Sequence, residues 1–405
     1  MRILIINSFF DVGGPPRIVK GIYDTLIEKG DDCLVAAARE TPIEGMNTVR
    51  IGRKNEPYVN ALKSRVLDNE GFNAKKATQN FIEAIEAYNP DVVNLHNLHG
   101  YFINIEVLFN YLKSSKVPIV WTLHDCWPIT GHCTHFDFIK CYRWENEGCH
   151  NCPQSREYPA SYFADRSKRN FEKKKSLFGG FENMTIVTPS EWLGRLVKRS
   201  YLKDYDVRVI HNGIDTSEFL PVESDFKKRY GITDKRIVLG VAQNWKEKKG
   251  FEDFIKLNGL LDPIYQIVLV GLTDEQKKAL PDGIIGITRT NNVEELVEIY
   301  SSAYVFVNCT YQDNFPTVNI EALACGVPVI TYDTGGSAEA ADAASGIAVK
   351  QGDIQQLAKS IEKLDKTKLS MESCRNRALK FDRFNRYEEY YELLHSIGKK
   401  GALLK

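Results

Sequence analysis

Glu321 stands four residues after Thr317 and eight after Asp313, inside the stretch N-C-T-Y-Q-D-N-F-P-T-V-N-I-E-A-L-A-C-G-V-P-V-I-T-Y-D-T-G-G-S-A-E that runs from Asn308 to Glu339. Asp313 and Asn314 open a turn, and Pro316 suits the first turn of a helix, where a missing N–H costs nothing. Ile320, Leu323 and Ala324 give that helix one buried face, and Gly326 ends it. The amides of Thr317 and Val318 then lack intrahelical partners and carry the positive end of the helix dipole, which makes an anion site. Thr317 and Glu321 share a face. A carboxylate one turn beyond a bound anion can accept two hydrogen bonds from a vicinal diol such as ribose. Asp313, on the loop side of the same anion, can accept from hydroxyls of a group attached to the phosphate. The segment therefore suits a sugar, a diphosphate and a ribose held in line. The bare spacing of two carboxylates also fits a helix cap and a solvated glutamate.

The elements that must position these residues are short apolar runs. Tyr304 to Val307 and Val327 to Tyr332 read as buried strands on either side of the helix, and Gly335-Gly336 as a tight loop. Upstream, Ile237–Ala242, Tyr265–Val270 and Ile284–Thr288 read as strands alternating with helices over Phe251–Leu261, Glu275–Leu280 and Glu294–Ser301, a pattern that predicts a parallel sheet covered by helices. The N-terminal half repeats the architecture without repeating the sequence. Its strands are Arg2–Asn7, Cys33–Ala38, Val92–Leu95, Ile119–Thr122 and Thr185–Thr188, with helices near 17–29, 81–88 and 105–112. Gly13-Gly14 follows the first strand, as in nucleotide-type domains, but without a G-x-G-x-x-G spacing, so a dinucleotide site is not expected. Lys54 to Gln79 is polar and charged with little pattern. His124 falls at the carboxyl end of a strand, where open α/β sheets place ligands. His96 and His99 read as structural.

The string from Asp313 to Glu339 resembles the donor-binding segment of family-4 retaining glycosyltransferases of the GT-B fold, which carry E-x7-E, then A-C-G-x-P-V and a G-G loop. Asp313 stands where that family usually has Glu, and Pro316 where it usually has Gly. The resemblance extends from Gly13-Gly14 to the final helices and includes T-x-H-D ending at Asp125 and N-G-I-D around Ile214. It implies two Rossmann-like domains facing across a cleft, with the last helix crossing back to the first domain. The boundaries expected are 1–206, 207–382 and 383–405. His124 and Asp313 would then face the transferred sugar. In Q-N-W-K-E-K-K-G, Lys249 matches the family lysine that grips the diphosphate, Asn244 occupies the position of its arginine, and Lys248 supplies the missing charge. With Gly13, Gly14, Phe315, Pro316, Thr317, Val318 and Glu321, these residues make up the implied donor site. The resemblance also implies that the departing phosphate takes the acceptor proton, so that transfer needs neither cofactor nor metal at the diphosphate. The donor would be a UDP- or GDP-linked sugar, and the acceptor a glycan or lipid-linked glycan in surface polysaccharide synthesis. The alternatives are a hydrolase with Asp313 and Glu321 as paired carboxylates, and a non-catalytic nucleotide-sugar-binding protein that partners another enzyme.

Composition narrows the rest. The chain has 405 residues, 43% hydrophobic and 26% charged, which suits a globular protein of two or three domains. Fifty-three basic residues balance 53 acidic ones, so no nucleic-acid partner is expected. The opening M-R-I-L-I-I-N-S-F-F reads as a first strand instead of a signal peptide, which places the chain in the cytoplasm with its nine cysteines reduced or metal-bound. Cys133, Cys141, Cys149 and Cys152 run C-x7-C-x7-C-x2-C through a loop-rich insert at about 133–159 that is poor in apolar residues, which suggests a structural zinc. The basic helix 166–175 and the segment 192–203 mix cations with large apolar residues, as expected of a protein resting on the anionic inner face of a membrane.

Overall fold

The structure is a computed structural model that describes residues 1–10, 14–39 and 43–403. It divides into two compact units, Met1–His211 with Arg386–Lys405, and Asn212–Asn385.

In the first unit the order is β1 (Arg2–Ile6), α1 (Gly14–Glu28), β2 (Asp32–Ala37), β3 (Thr48–Arg50), α2 (Glu56–Leu67), α3 (Lys75–Tyr88), β4 (Val92–Leu95), α4 (Ile105–Ser115), β5 (Ile119–Thr122), α5 (Arg143–Asn146), α6 (Ser167–Phe178), β6 (Met184–Thr188), α7 (Glu191–Arg199) and β7 (Asp206–Val209). The strands form one parallel sheet in the order β3-β2-β1-β4-β5-β6-β7. Side chains alternate across it: Leu4 and Ile6 join the core on one face, Ile3 and Ile5 the core on the other. The order reverses between β1 and β4, so the loops after those strands splay apart and leave a crevice at their carboxyl ends.

The second unit holds α8 (Phe226–Arg229), β8 (Arg236–Val241), α9 (Phe251–Asn258), β9 (Tyr265–Val270), α10 (Asp274–Lys278), β10 (Ile284–Ile287), α11 (Val293–Ser302), β11 (Val305–Asn308), α12 (Thr317–Ala324), β12 (Val329–Tyr332), β13 (Gly346–Val349), α13 (Ile354–Glu362) and α14 (Met371–Leu379). Its sheet is also all parallel, in the order β10-β9-β8-β11-β12-β13, with the reversal between β8 and β11. Ile237 and Leu239 face one core, Val238 and Leu269 the other.

α15 (Arg383–Leu403) ends the description. Tyr387, Tyr390 and Leu394 lie in the first unit's core beside Ile22 and Leu26, and Tyr387 occupies the space that a side chain at Gly21 would need. Lys29 pairs with Glu388 at 2.7 Å and Asp31 with His395 at 2.7 Å. The last helix therefore does return to the first unit.

Three expectations change. Residues 206–209 pair with β6, so the first unit runs to His211 and not to 206. β7 was hard to read as part of that sheet because it is an edge strand whose side chains are half exposed. The stretch 54–79 contains α2 and the start of α3. The insert after Cys133 has its own packing: Phe136 and Trp144 are buried with Cys133 and Phe171. Among the described residues no helix is long and apolar enough to cross a membrane.

Candidate functional site

In the second unit, three loops meet at the carboxyl ends of β8, β11 and β12. The loop after β8 ends at Gly250, which has φ +73°; a Cβ there would lie 2.3 Å from the Cys309 carbonyl oxygen, so the turn sits directly on the end of β11. The Tyr311 N–H donates to the Lys248 carbonyl at 2.9 Å, joining the first loop to the second. Lys249 Nζ reaches Asp313 Oδ2 at 2.5 Å. Gly335, with φ +58°, brings the third loop so close that a Cβ would fall 1.9 Å from the Asp313 carbonyl oxygen.

α12 starts from this junction. Pro316 is its cap residue and not part of its first turn, and no side chain caps the helix. The amides of Thr317 and Val318 thus precede the first intrahelical bond, and that of Asn319 meets the Pro316 carbonyl at 3.2 Å. Asn319 fixes the helix start in place: its Oδ1 accepts from Asn308 Nδ2 at 2.8 Å, and its Nδ2 donates to the Ser337 carbonyl at 2.9 Å. One turn on, Glu321 is buried and its Oε2 accepts from the Tyr300 hydroxyl at 3.1 Å. Burial and the neighbouring carboxylate push the Tyr300 phenol well up, so it stays a donor. A lysine, uncapped amides and two carboxylates stand together at the sheet's switch point, as a phosphate with groups on both sides requires.

The remaining expected donor residues differ in placement. Asn244 is exposed on the loop after β8. Lys248 is half-buried in the same loop. The Phe315 ring is 3% exposed and packs on Phe381, with centroids 5.5 Å apart, so it serves the core and leaves only its backbone for a ligand. Gly14 opens α1, with nothing within 4 Å of where a Cβ would stand, whereas Gly13 lies outside the described residues.

The first unit carries His124, in a network that sequence reasoning missed. Asn94 Oδ1 lies 2.9 Å from His96 Nε2, and His96 Nδ1 lies 2.8 Å from His124 Nε2. A carbonyl oxygen only accepts, so His96 carries its proton on Nε2, and His124 donates from Nε2 to His96 Nδ1. Burial lowers the His124 pKa to about 4, with Asp125 opposing, and holds His96 well below the usual range. Both rings are neutral at pH 7. Beside them Asp125 Oδ2 meets His99 Nε2 at 2.7 Å, and His99 Nδ1 meets the Tyr158 hydroxyl at 2.9 Å. Burial disfavours the His99 imidazolium, but the Asp125 carboxylate outweighs it and raises the pKa. His96 thus hydrogen-bonds His124 itself, and His99 pairs with the neighbouring Asp125. The available signal was their place in L-H-N-L-H-G, just past β4 at the switch point, the position that singled out His124 after β5.

The four insert cysteines do not meet the expectation of a zinc centre. All nine cysteines are free thiols, and among the described residues no group of three or more His, Cys, Asp or Glu side chains is arranged to hold a metal ion. Cys133 is buried in the insert's apolar packing, and Cys149 Sγ accepts from the Gly131 amide at 3.1 Å. Aromatic packing holds the loops that the sequence left to a metal.

Comparison with known proteins bears on the family and the fold. Residues 12–218 match the family model Glycosyltransferase Family 4, and residues 222–381 match Glycosyl transferases group 1. WcaC of Escherichia coli (strain K12), provisionally named a colanic acid biosynthesis glycosyl transferase, is 27% identical over 296 residues, 66% of each chain. The N,N'-diacetylbacillosaminyl-diphospho-undecaprenol alpha-1,3-N-acetylgalactosaminyltransferase of Campylobacter jejuni is 29% identical over 216 residues, 49% of this chain and 56% of that one. The chain thus spans between about half and 66% of the length of these relatives. The crystal structure of HepE from Anabaena in complex with UDP superposes with a TM-score of 0.69 at 16% identity, covering 98% of this chain and 100% of the other. That likeness shows the GT-B type of fold, two parallel-sheet Rossmann-like domains.

Proposed function

Because the chain belongs to Glycosyltransferase Family 4, we propose that it moves a hexose-type sugar from a nucleoside-diphosphate sugar to a hydroxyl of a glycan or lipid-linked glycan, with retention at the anomeric carbon, during surface polysaccharide synthesis. The observation that carries this reading is the meeting of Lys249, Asp313 and the uncapped start of α12, with Glu321 one turn further on. The diphosphate lies against the Thr317 and Val318 amides and takes the Lys249 ammonium as its counter-charge. Glu321, oriented by Tyr300, accepts from the ribose hydroxyls. Asp313 and the neutral His124 hydrogen-bond the sugar being transferred. Charge that develops on the leaving diphosphate meets donors already in place, so little reorganisation is needed. The leaving phosphate oxygen takes the proton of the attacking hydroxyl, and no protein nucleophile or metal enters the step.

Uridine is the favoured base, since UDP is the nucleotide bound by HepE. Polysaccharide and lipid-linked acceptors are supported by the names of the two relatives. Free thiols throughout the chain fit the cytoplasm. A second reading, a nucleotide-sugar binder that assists another transferase, rests on Asn244: a neutral, exposed side chain stands where the family places a cation. Incubation with a panel of UDP- and GDP-sugars separates the two. The proposal expects slow donor hydrolysis, faster transfer on adding acceptor, and a product with the donor's anomeric configuration by NMR. An inverted product overturns retention, and tight donor binding without turnover establishes the second reading.

A further inference from the structure

α2 is built inside out. Its buried face is polar, with Asn60 and Ser64 turned inward and Asp68 at its end, while Tyr58, Val59, Leu62 and Val66 face outward, Leu62 at 61% exposure. The inner face is fully engaged. Asn60 Nδ2 donates to the Tyr101 carbonyl at 3.0 Å, and Asn73 Nδ2 donates to Ser64 Oγ at 3.0 Å. Asp68 holds the helix end: one oxygen lies 2.6 Å from His132 Nδ1, and the other accepts from the Arg166 amide at 2.7 Å. The helix is therefore anchored by hydrogen bonds, and its outward apolar side chains bury little area in the fold. The usual arrangement for a surface helix is the opposite.

A loop widens the outward face. The Tyr162 N–H donates to the Arg65 carbonyl at 2.7 Å, which sets Tyr162 and Phe163 beside the last turn of α2, Phe163 at 82% exposure. The exposed charges on α2 and the turn before it are basic, and one exposed acid, Asp165, follows Phe163 by two residues. Arg53, Lys54, Lys63 and Arg65 are exposed, whereas the only acid on α2, Glu56, is turned back to accept from the Arg53 amide at 2.9 Å. Apolar side chains ringed by cations match a bilayer surface carrying anionic headgroups. The two basic segments singled out in the sequence lack this pairing: α6 buries Phe171 and Phe178, and α7 buries Leu193, Leu196 and Val197, so their outer faces offer charge alone.

We infer that the outer face of α2, with Tyr162 and Phe163, is a docking surface for an anionic lipid bilayer. Leu62, Val66 and Phe163 enter the headgroup boundary while Lys63 and Arg65 meet phosphate. The inference goes beyond the proposed transfer reaction and does not depend on it.

The test is flotation of the full chain with vesicles of phosphatidylcholine alone or with phosphatidylglycerol added. The chain is expected to float with the anionic vesicles, and L62S/V66S/F163S to lose about tenfold or more in partitioning, in line with the removal of buried apolar area. K63E/R65E is expected to lose the preference for anionic vesicles. M371S, which changes an exposed apolar residue of the second unit, is expected to float as the parent does. Equal flotation of parent and triple variant, with matching melting temperatures, overturns the inference. So does a dimer in the parent that the triple variant lacks when neither binds vesicles, since the patch then receives a second copy. Nucleoside-diphosphate binding measured without vesicles is expected to be the same in all variants, so failure of docking and failure of the transfer reading are read separately.

Discussion

Lys249 Nζ lies 2.5 Å from Asp313 Oδ2, although 64 residues separate them in the chain. The pair forms because Gly250 seats one loop on the end of β11 and Gly335 seats another against the Asp313 carbonyl. An incoming diphosphate therefore competes with a carboxylate for the ammonium. Asp313→Asn keeps the shape and frees the lysine, so nucleoside-diphosphate affinity should hold or rise while turnover drops on the order of 100-fold, the scale of a lost transition-state contact. Lys249→Ala should weaken the nucleoside diphosphate by about 1.5–3 kcal/mol, the scale of a charge-assisted hydrogen bond. Calorimetry and steady-state kinetics on both variants decide it, and parental turnover in folded Asp313→Asn sinks the sugar-side assignment.

Glu321 provides a second, independent check. Glu321→Gln retains an acceptor for the Tyr300 hydroxyl but loses the charge that draws the ribose diol. Donor and free nucleotide should weaken together, by about 1.5–3 kcal/mol for bonds to a charged group. Tyr300→Phe leaves the carboxylate in place but unaligned and should cost less, about 1 kcal/mol for one neutral hydrogen bond. Unchanged nucleotide affinity in Glu321→Gln removes the ribose assignment.

The histidine chain should show in the acid limb of stability. His124 and His96 both have pKa values depressed in the folded state, His124 to about 4. Between the unfolded value near 6.5 and that lower value the unfolded chain binds more protons, so stability is present above about pH 6.5 and is lost as pH falls toward 4. His99 opposes this, since its raised pKa contributes stability at low pH that is lost as pH rises through the folded value. His124→Asn should therefore lose less melting temperature than the parent between pH 7 and pH 5 by calorimetry. It should also cut turnover strongly while nucleoside-diphosphate affinity stays near the parent's. A steeper acid limb in the variant contradicts neutral packing of the pair.

What was legible beforehand follows from burial. Val92–Leu95, Ile119–Thr122 and Tyr265–Val270 were read to the residue because strands covered on both faces are mostly apolar runs. β3 and β13 were missed because each lies at a sheet edge and keeps most of its few side chains partly in water. α2 was missed because polar and charged residues, Asn60, Lys63, Ser64 and Arg65, are interleaved with its apolar ones, and its buried positions are not apolar enough to mark a core face. At the site, the Asp313 to Glu321 spacing was readable because both residues lie in one short continuous loop-and-helix segment. The Lys249 to Asp313 pair and the His96 to His124 bond are products of strand order, and no local spacing encodes them. The cysteine spacing suggested a metal because it hid the aromatic packing around Phe136 and Trp144.

Lys174 supplies the last test. It is 1% exposed, with its amine donating to the Trp127 carbonyl at 2.9 Å and the Thr130 carbonyl at 3.1 Å, over the Trp127 ring at 3.4 Å from the centroid. These contacts fix the loop that follows His124 and Asp125. Burial lowers the amine to about 7, with Cys149 and Glu70 opposing. Between that value and the unfolded 10.4 or so, the unfolded chain holds more protons, so this group makes the fold more stable as pH rises from 7 toward 10. Lys174→Met fills a similar volume without a titrating group and leaves two carbonyls short of a donor, a loss of about 1–3 kcal/mol at alkaline pH, where the parent amine is neutral. The parent should gain melting temperature between pH 7 and pH 9 relative to Lys174→Met, with the gap widening as pH rises. A gap that narrows over that range would mean that the amine is charged in the fold, and that the ring and the two carbonyls stabilise an ammonium.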